Sequence, residues 1–374
     1  MSPKIIKCTA LISFLLVIYS ITQFKSHQVV VKRAIYYWKN NATFNWYQGD
    51  TVYPQFIDTH QIKKVYVKML DVDWVFKQGI VPITKTYLSD YSDGLNFFRP
   101  YVHNQPIPES GYESDRLRQD IQFVPVVFIT NKAIAHMDSS SENYLAEQIL
   151  KHLFRIQKYA GQEITEYQLD CDWTATTQQQ YFSLIRKMKS YLPTKKVSAT
   201  IRLYQYKYFS KAGVPPVDKG MLMLYNINNA TKYSTQNSIF NLSEAVKYLP
   251  PNHPYPLSLS VALPMFSWGI LFNNYTFKAV VNDMNKTQAK ELGFLQQLNA
   301  NDFVVKYDTV FNNVNYETGN ILKIEQCYDA EITQANFAMH RIAAKDTLEV
   351  ALFDLNATDI KHINHESIEK AYTW

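Results

Sequence analysis

The fold class the sequence predicts is a single (β/α)8 barrel of the TIM type, and three observations predict it. Eight strand-like runs are spread along one chain, most of them separated by segments with helical periodicity. Several runs, such as FVPVVFIT at 123–130 and MLMLY at 221–225, are near-continuously apolar, as parallel strands covered on both faces are. Acidic, amide and aromatic side chains recur where the runs end, and barrels of this kind carry their chemistry at that end. With 374 residues, 47% hydrophobic and 19% charged, the chain has enough apolar material for a sizeable core. The rival architecture, an open doubly wound sheet, would show a glycine-rich first turn, and none is present.

Residues 1–28 stand apart from that pattern. Lys4 and Lys7 precede an uncharged, mainly apolar stretch over 8–24, which Lys25 and His27 follow. A basic region before a short apolar core predicts an export signal. The core falls short of the roughly 20 residues of a comfortable membrane span, and no A-x-A cleavage site is evident, so an uncleaved signal-anchor is the alternative. The barrel domain is then 29–374.

Its first strand is 34–38 (AIYYW), its second 64–72 (KVYVKMLDV) and its third 123–130. Leu145, Ile149, Leu153 and Ile156 repeat at helical spacing within 141–159. The fourth strand lies in TEYQLDCDWT, 165–174, and runs up to its two aspartates. An amphipathic helix over 178–191 precedes Pro193. The fifth and sixth strands are 197–203 (VSATIRL) and 221–225, and a short helix over 242–249 is stopped by Pro250 and Pro251. The seventh strand is 257–265 (LSLSVALPM), the eighth 348–354 (LEVALFD), and a last helix covers 360–372.

Two connections are too long for plain crossovers. Residues 78–120, after strand two, are rich in Tyr, Pro, Ser and Asp and lack a strong period. Residues 268–345, after strand seven, are expected to hold a helix, a small hairpin around 312–319 and another helix. Both leave the carboxyl ends of barrel strands, so both should shape the rim of a cleft.

The net charge of +5 is spread out, with no basic run longer than two, and gives no nucleic-acid footprint. Beyond the signal only Cys171 and Cys327 remain, which is no disulfide framework. There is no D-x-D-x-D-G loop, no H-E-x-x-H helix and no G-x-S-x-G elbow, so no metal, cofactor or serine-hydrolase chemistry is expected. A monomer is the expected state.

Asp170 and Asp172 are the most informative residues. At i, i+2 on a strand both carboxylates project from one face, where they repel each other and lose hydration. Cys171 alternates with them and should face the helix layer. Other strand ends add Tyr37 and Trp38, Asp71 and Asp73 (LDVDW, the same D-x-D-W pattern), Arg202 and Gln205, Tyr225 and Asn226, Phe266 to Trp268, and Asp354. Carboxylates, an arginine, amides and rings around one mouth suit a carbohydrate: rings stack on sugar faces and acids protonate glycosidic oxygens. The structural alternative pairs Asp71, Asp73, Asp170 and Asp172 with Arg202 and Lys68 inside the barrel, with the Trp residues as core caps.

The string Leu169-Asp170-Cys171-Asp172-Trp173-Thr174 resembles the strand-four signature of family-18 glycosidases, the chitinase-like barrels, which runs L-D-[IF]-D-[WY]-E. That family's general acid is the final Glu, and here the position is Thr174. A hydroxyl does not protonate a leaving group at neutral pH, so chitinase chemistry does not carry over unchanged. A longer resemblance is to a family of exported bacterial proteins with glycosidase-like barrels. It rests on VPVVFITN (124–131), QLDCDWT (168–174), ATIRLYQ (199–205), GVPPVDKGMLMLYN (213–226) and ALPMFSWG (262–269). It implies a barrel fold and an envelope location, and carries no particular reaction.

The sequence therefore predicts an exported barrel, in the periplasm or cell envelope, that acts on or binds a carbohydrate polymer. Asp172 is the expected acid/base and Asp170 its electrostatic partner. Arg202, Gln205, Tyr225 and Asn226 should position the glycan, Trp38, Trp173 and Trp268 stack on it, and Asp71 and Asp73 line the binding rim. The alternative is a non-catalytic barrel that binds glycan or supports an envelope assembly. An acidic pair opening into an aromatic groove would favour the first; acids bonded to Arg202 beneath a closed mouth would favour the second.

Overall fold

The computed structural model describes residues 29–39, 52–85, 120–159, 162–251, 253–342 and 346–374. The expected export signal and most of the 78–120 connection lie outside the described residues. Among the described residues, no helix is long and apolar enough to cross a membrane.

The strands in chain order are β1 (Val30–Tyr37), β2 (Lys64–Val75), β3 (Gly79–Lys85), β4 (Gln122–Ile129), β5 (Glu166–Asp170), β6 (Lys196–Arg202), β7 (Lys219–Met223) and β8 (Leu259–Pro264). An insertion holds β9 (Ser267–Asn273), β10 (Thr276–Asn282), β11 (Leu295–Gln297), β12 (Asp302–Val305), β13 (Thr309–Phe311), β14 (Val314–Tyr316) and β15 (Ile321–Gln326), and β16 (Thr347–Phe353) returns to the barrel. The main sheet runs β1-β16-β8-β7-β6-β5-β4-β2, and parallel pairing of β1 with β2 closes it into the expected eight-stranded parallel barrel. Helices Ser139–Tyr159 and Gln178–Tyr191 cover its outside with residues such as Leu145, Ile149, Tyr181 and Ile185.

The start of the 78–120 connection is ordered as a strand. β3 pairs antiparallel with β2 as a hairpin, an edge that an irregular composition did not announce. The last helix is in fact two, Ala357–Ile360 and His365–Ala371, because the Asn356 and Asn364 side chains each accept an N-terminal backbone amide and start a new helix.

The larger departure is the connection after β8. The expected helices (Lys286–Glu291, Asp329–Met339) and hairpin (β13–β14) are there, with a five-stranded antiparallel sheet, β10-β9-β15-β12-β11, that the sequence reading missed. It has a separate core around Leu271, Val281, Phe303, Leu322 and Ile324. Its β9–β10 turn carries no glycine: Asn274 and Tyr275 take φ of 46° and 61°. Asparagine tolerates that left-handed region without the usual Asn-Gly signal, so this hairpin was hard to read.

Inside the barrel, polar side chains form layers. At the strand starts Lys64 Nζ reaches Glu166 (2.6 Å) and Glu349 (3.1 Å), and Glu349 also accepts from Tyr66 (2.5 Å), Ser260 (3.2 Å) and Lys219 (3.2 Å). Above them the Tyr36 hydroxyl donates to Gln168 (2.6 Å), and the Tyr36 ring stacks on Tyr66 at 4.8 Å. The layer above that is the mouth.

Candidate functional site

Asp170 ends β5 pointing into the barrel, buried, and accepts a 2.6 Å hydrogen bond from the Thr200 hydroxyl on β6. Burial, reinforced by the neighbouring Asp172 charge, pushes its carboxyl up to about 6. Asp172, one pleat higher, meets Arg202 in a fork: Nε donates to Oδ1 at 2.5 Å and Nη2 to Oδ2 at 2.6 Å. Both oxygens of the expected acid/base are thus engaged by one guanidinium. Burial works against the charge on Arg202, but the Asp172 fork outweighs it and holds the guanidinium ionised.

Several expected binding residues face elsewhere. Trp173 is 2% exposed, stacks on Tyr181 at 5.3 Å and donates from Nε1 to the Ala212 carbonyl at 2.7 Å. It alternates with Asp172, so it shares the helix layer with the buried thiol of Cys171 rather than the mouth. Gln205 is also buried: its Nε2 donates to the Trp173 carbonyl at 2.9 Å and its Oε1 accepts from Arg202 N at 2.7 Å. Both side chains brace the strand end and present nothing to a sugar.

Asp71 is bonded to Lys68 (3.1 Å), brought to the same face by a bulge between Lys68 and Leu70. Asp73 accepts from the Thr130 hydroxyl (2.6 Å) and from Trp74 N (2.8 Å), tying β2 to the turn after β4. Both therefore sit in structural contacts. Thr174 is exposed, and its hydroxyl lies 2.8 Å from that of Thr176 in the turn leading to helix Gln178–Tyr191. No carboxyl stands at that position.

The structure does bring together Trp38, Asn226 and Trp268, with Asp354. They line a cavity of about 420 Å³ at the carboxyl ends of the barrel strands, which Lys68, Phe266, Phe353 and, from the insertion, Asp283 also wall. Lys68 Nζ lies 5.2 Å from the centre of the Trp38 ring. Trp268 is fixed by a 3.0 Å hydrogen bond from its Nε1 to Glu325 of the insertion. Tyr225 is buried just beneath, stacked on Phe353 at 4.6 Å, and forms floor rather than wall. The Asn226 backbone turns through φ 52°, and its buried Oδ1 has no partner among the described residues.

Asp354, in the first turn past β16, was noted from the sequence without a role. It is 6% exposed, and burial pushes its carboxyl up to about 7, Lys39 opposing the shift and Asp283 and Asp359 adding to it. The signal available was the same as at Asp170: an apolar strand ending in aspartate. Among the described residues, His60, His365 and Glu369 could hold a metal ion, their ligand atoms within 4.8 Å of one another. Arg33, however, contacts both Glu369 oxygens at 3.1 and 2.9 Å, making the group an ion-pair network outside the mouth.

A closed eight-stranded parallel barrel with surrounding helices defines the class, a (β/α)8 barrel, and solved structures share that fold. In particular the chain is similar to the spore cortex-lytic enzyme SleL of Bacillus cereus, with a TM-score of 0.50 and 12% identity over 92% of this chain and 75% of that one. It is also similar to a chitinase of Chromobacterium violaceum, with a TM-score of 0.46 and 9% identity over 92% of this chain and 98% of that one. No family model and no curated protein matches the chain.

Proposed function

We propose that this chain is an exported, glycoside-hydrolase-like barrel whose mouth binds a carbohydrate polymer, one sugar ring seated between Trp38, Trp268 and Phe353. The observation that carries the reading is the cavity itself: aromatic walls for the apolar faces of a sugar, with the amide of Asn226 for its hydroxyls. Arg202 fits this reading as the group that holds Asp172 in place at the rim. Residues 1–28 serve as the export signal or anchor, which cell fractionation and N-terminal sequencing of the exported chain would test.

A second reading, a barrel that binds glycan without cleaving it, is favoured by one specific observation: both Asp172 oxygens are engaged by Arg202, and no acid replaces Thr174. A glycan array on the chain without residues 1–28, followed by hydrolysis assays on whatever binds, tests the proposal. D170N and D172N serve as controls. Binding that W38A and W268A each weaken about tenfold supports the mouth as the site. Binding that both variants leave untouched rejects it.

A further inference from the structure

Resting on the glycan reading, we propose that Asp354 is the catalytic proton donor of this barrel, from the end of the eighth barrel strand rather than from the fourth. Three features of its placement support this. Asp354 lines the mouth cavity beside the rings of Trp38, Phe353 and Trp268, so a glycosidic oxygen next to a seated sugar lies against it. It is more than nine-tenths buried, and among the described residues no side chain donates a hydrogen bond to it; its own backbone amide does. By contrast, Asp172 is held by Arg202 and Asp170 by Thr200. A buried carboxyl without a cationic fork is the one able to keep a proton for transfer.

The charged and titratable groups facing it are Lys39 after β1, Tyr37 on β1, Tyr225 after β7, Asp283 of the insertion and Asp359 of helix Ala357–Ile360. Lys39 is occupied by Asp283, at 2.7 and 2.9 Å, and Asp359 by the hydroxyls of Ser267 and Tyr328, both at 2.6 Å. Lys68, which lines the same cavity, is bonded to Asp71 at 3.1 Å; with both cations held by other carboxylates, burial of Asp354 prevails, leaving it protonated up to about pH 7.

In the reaction, the Asp354 proton passes to the glycosidic oxygen as the bond from that oxygen to the anomeric carbon breaks. The bonding pair leaves with the oxygen, which departs as an alcohol. Water then bonds to the anomeric carbon through the vacated space and returns a proton to the Asp354 carboxylate. One water is consumed per bond cleaved, and the carboxyl ends protonated, as it began.

The test uses D354N in the full exported chain, because asparagine keeps the shape and the neutrality of the protonated acid. Chitohexaose, cellohexaose, xylohexaose and peptidoglycan strands are screened first for binding and then for cleavage. The expected result is that the wild type cleaves a glycan it binds, with a rate that falls as pH rises past about 7. D354N should bind that glycan within about threefold of wild type and cleave it at least ~100-fold more slowly. Cleavage by D354N at the wild-type rate overturns the proposal, as does binding by the wild type without any cleavage. Loss of binding together with cleavage in D354N would make Asp354 a structural or binding group and also overturn it. A wild type that binds none of these glycans removes the underlying glycan reading instead, so the two failures are distinguishable.

Discussion

Glu349 and Asp354 belong to the same strand and its exit, and their surroundings drive their carboxyls in opposite directions. Burial favours the neutral form of both. At Glu349, Lys219 and Lys64 and the Tyr66 hydroxyl outweigh burial and pull the group down to about 2. At Asp354 no cation does so, and it rises to about 7. The raised group stabilises the fold fully below its unfolded value of 3.8, and that contribution is lost as pH rises through about 7. A rise of that size corresponds to about 4 kcal/mol. D354N should therefore match wild type near pH 4 and exceed it in stability at pH 8, by up to about that amount, in denaturant unfolding at the two pH values. Of the pattern at this scale, the acid pair was legible because strand alternation is local. Trp173 was read as a platform although the alternation that turns Cys171 toward the helix layer turns Trp173 with it, where it stacks on Tyr181 of helix Gln178–Tyr191.

At the scale of elements, the insertion after β8 decides what the mouth looks like. Its sheet holds Glu325, which receives Trp268 Nε1 and also the Ser238 hydroxyl and, at 2.5 Å, Lys323 Nζ. Leu322, on the same strand, is fully buried in the insertion's own core. L322A should cost about 3 kcal/mol, read by thermal or urea unfolding, and should weaken glycan binding by loosening the strand that fixes Trp268. W268A removes a half-buried ring and one donor to the buried Glu325, so it should cost about 1 kcal/mol in urea unfolding and weaken glycan binding about tenfold in titration calorimetry. The sequence showed the insertion's length and two helices. Its sheet stayed hidden because strands of three to seven residues offer no long period, and the β9–β10 turn is made by Asn274 and Tyr275 without a glycine.

Across the whole molecule, the polar layer at the strand starts is the acid-sensitive part of the fold. Glu349 titrates below its unfolded value of 4.5, so its stabilising contribution is present above that pH and lost as pH falls toward about 2. E349Q leaves Lys64 and Lys219 with one buried carboxylate fewer and should cost about 3 kcal/mol at neutral pH. Its deficit against wild type should shrink on acidification, which unfolding curves between pH 7 and the acid limb would check. An E349Q deficit that stayed constant down to the acid limb would argue against this account.

The sequence by itself determined the barrel. Strand periodicity, apolar runs and strand-ending acids are local properties of the chain, and parallel closure is the packing that buries them on both faces. It also placed Trp38, Asn226 and Trp268 at one mouth, because the carboxyl ends of barrel strands converge whatever their spacing in the chain. Only the tertiary structure decided which acids are neutralised. Whether Asp172 meets Arg202, Asp170 meets Thr200, or Asp354 meets no side-chain donor among the described residues depends on neighbours from other strands. A carboxyl's proton is set by burial and by charges a few ångströms away, and those distances exist only after the barrel has closed.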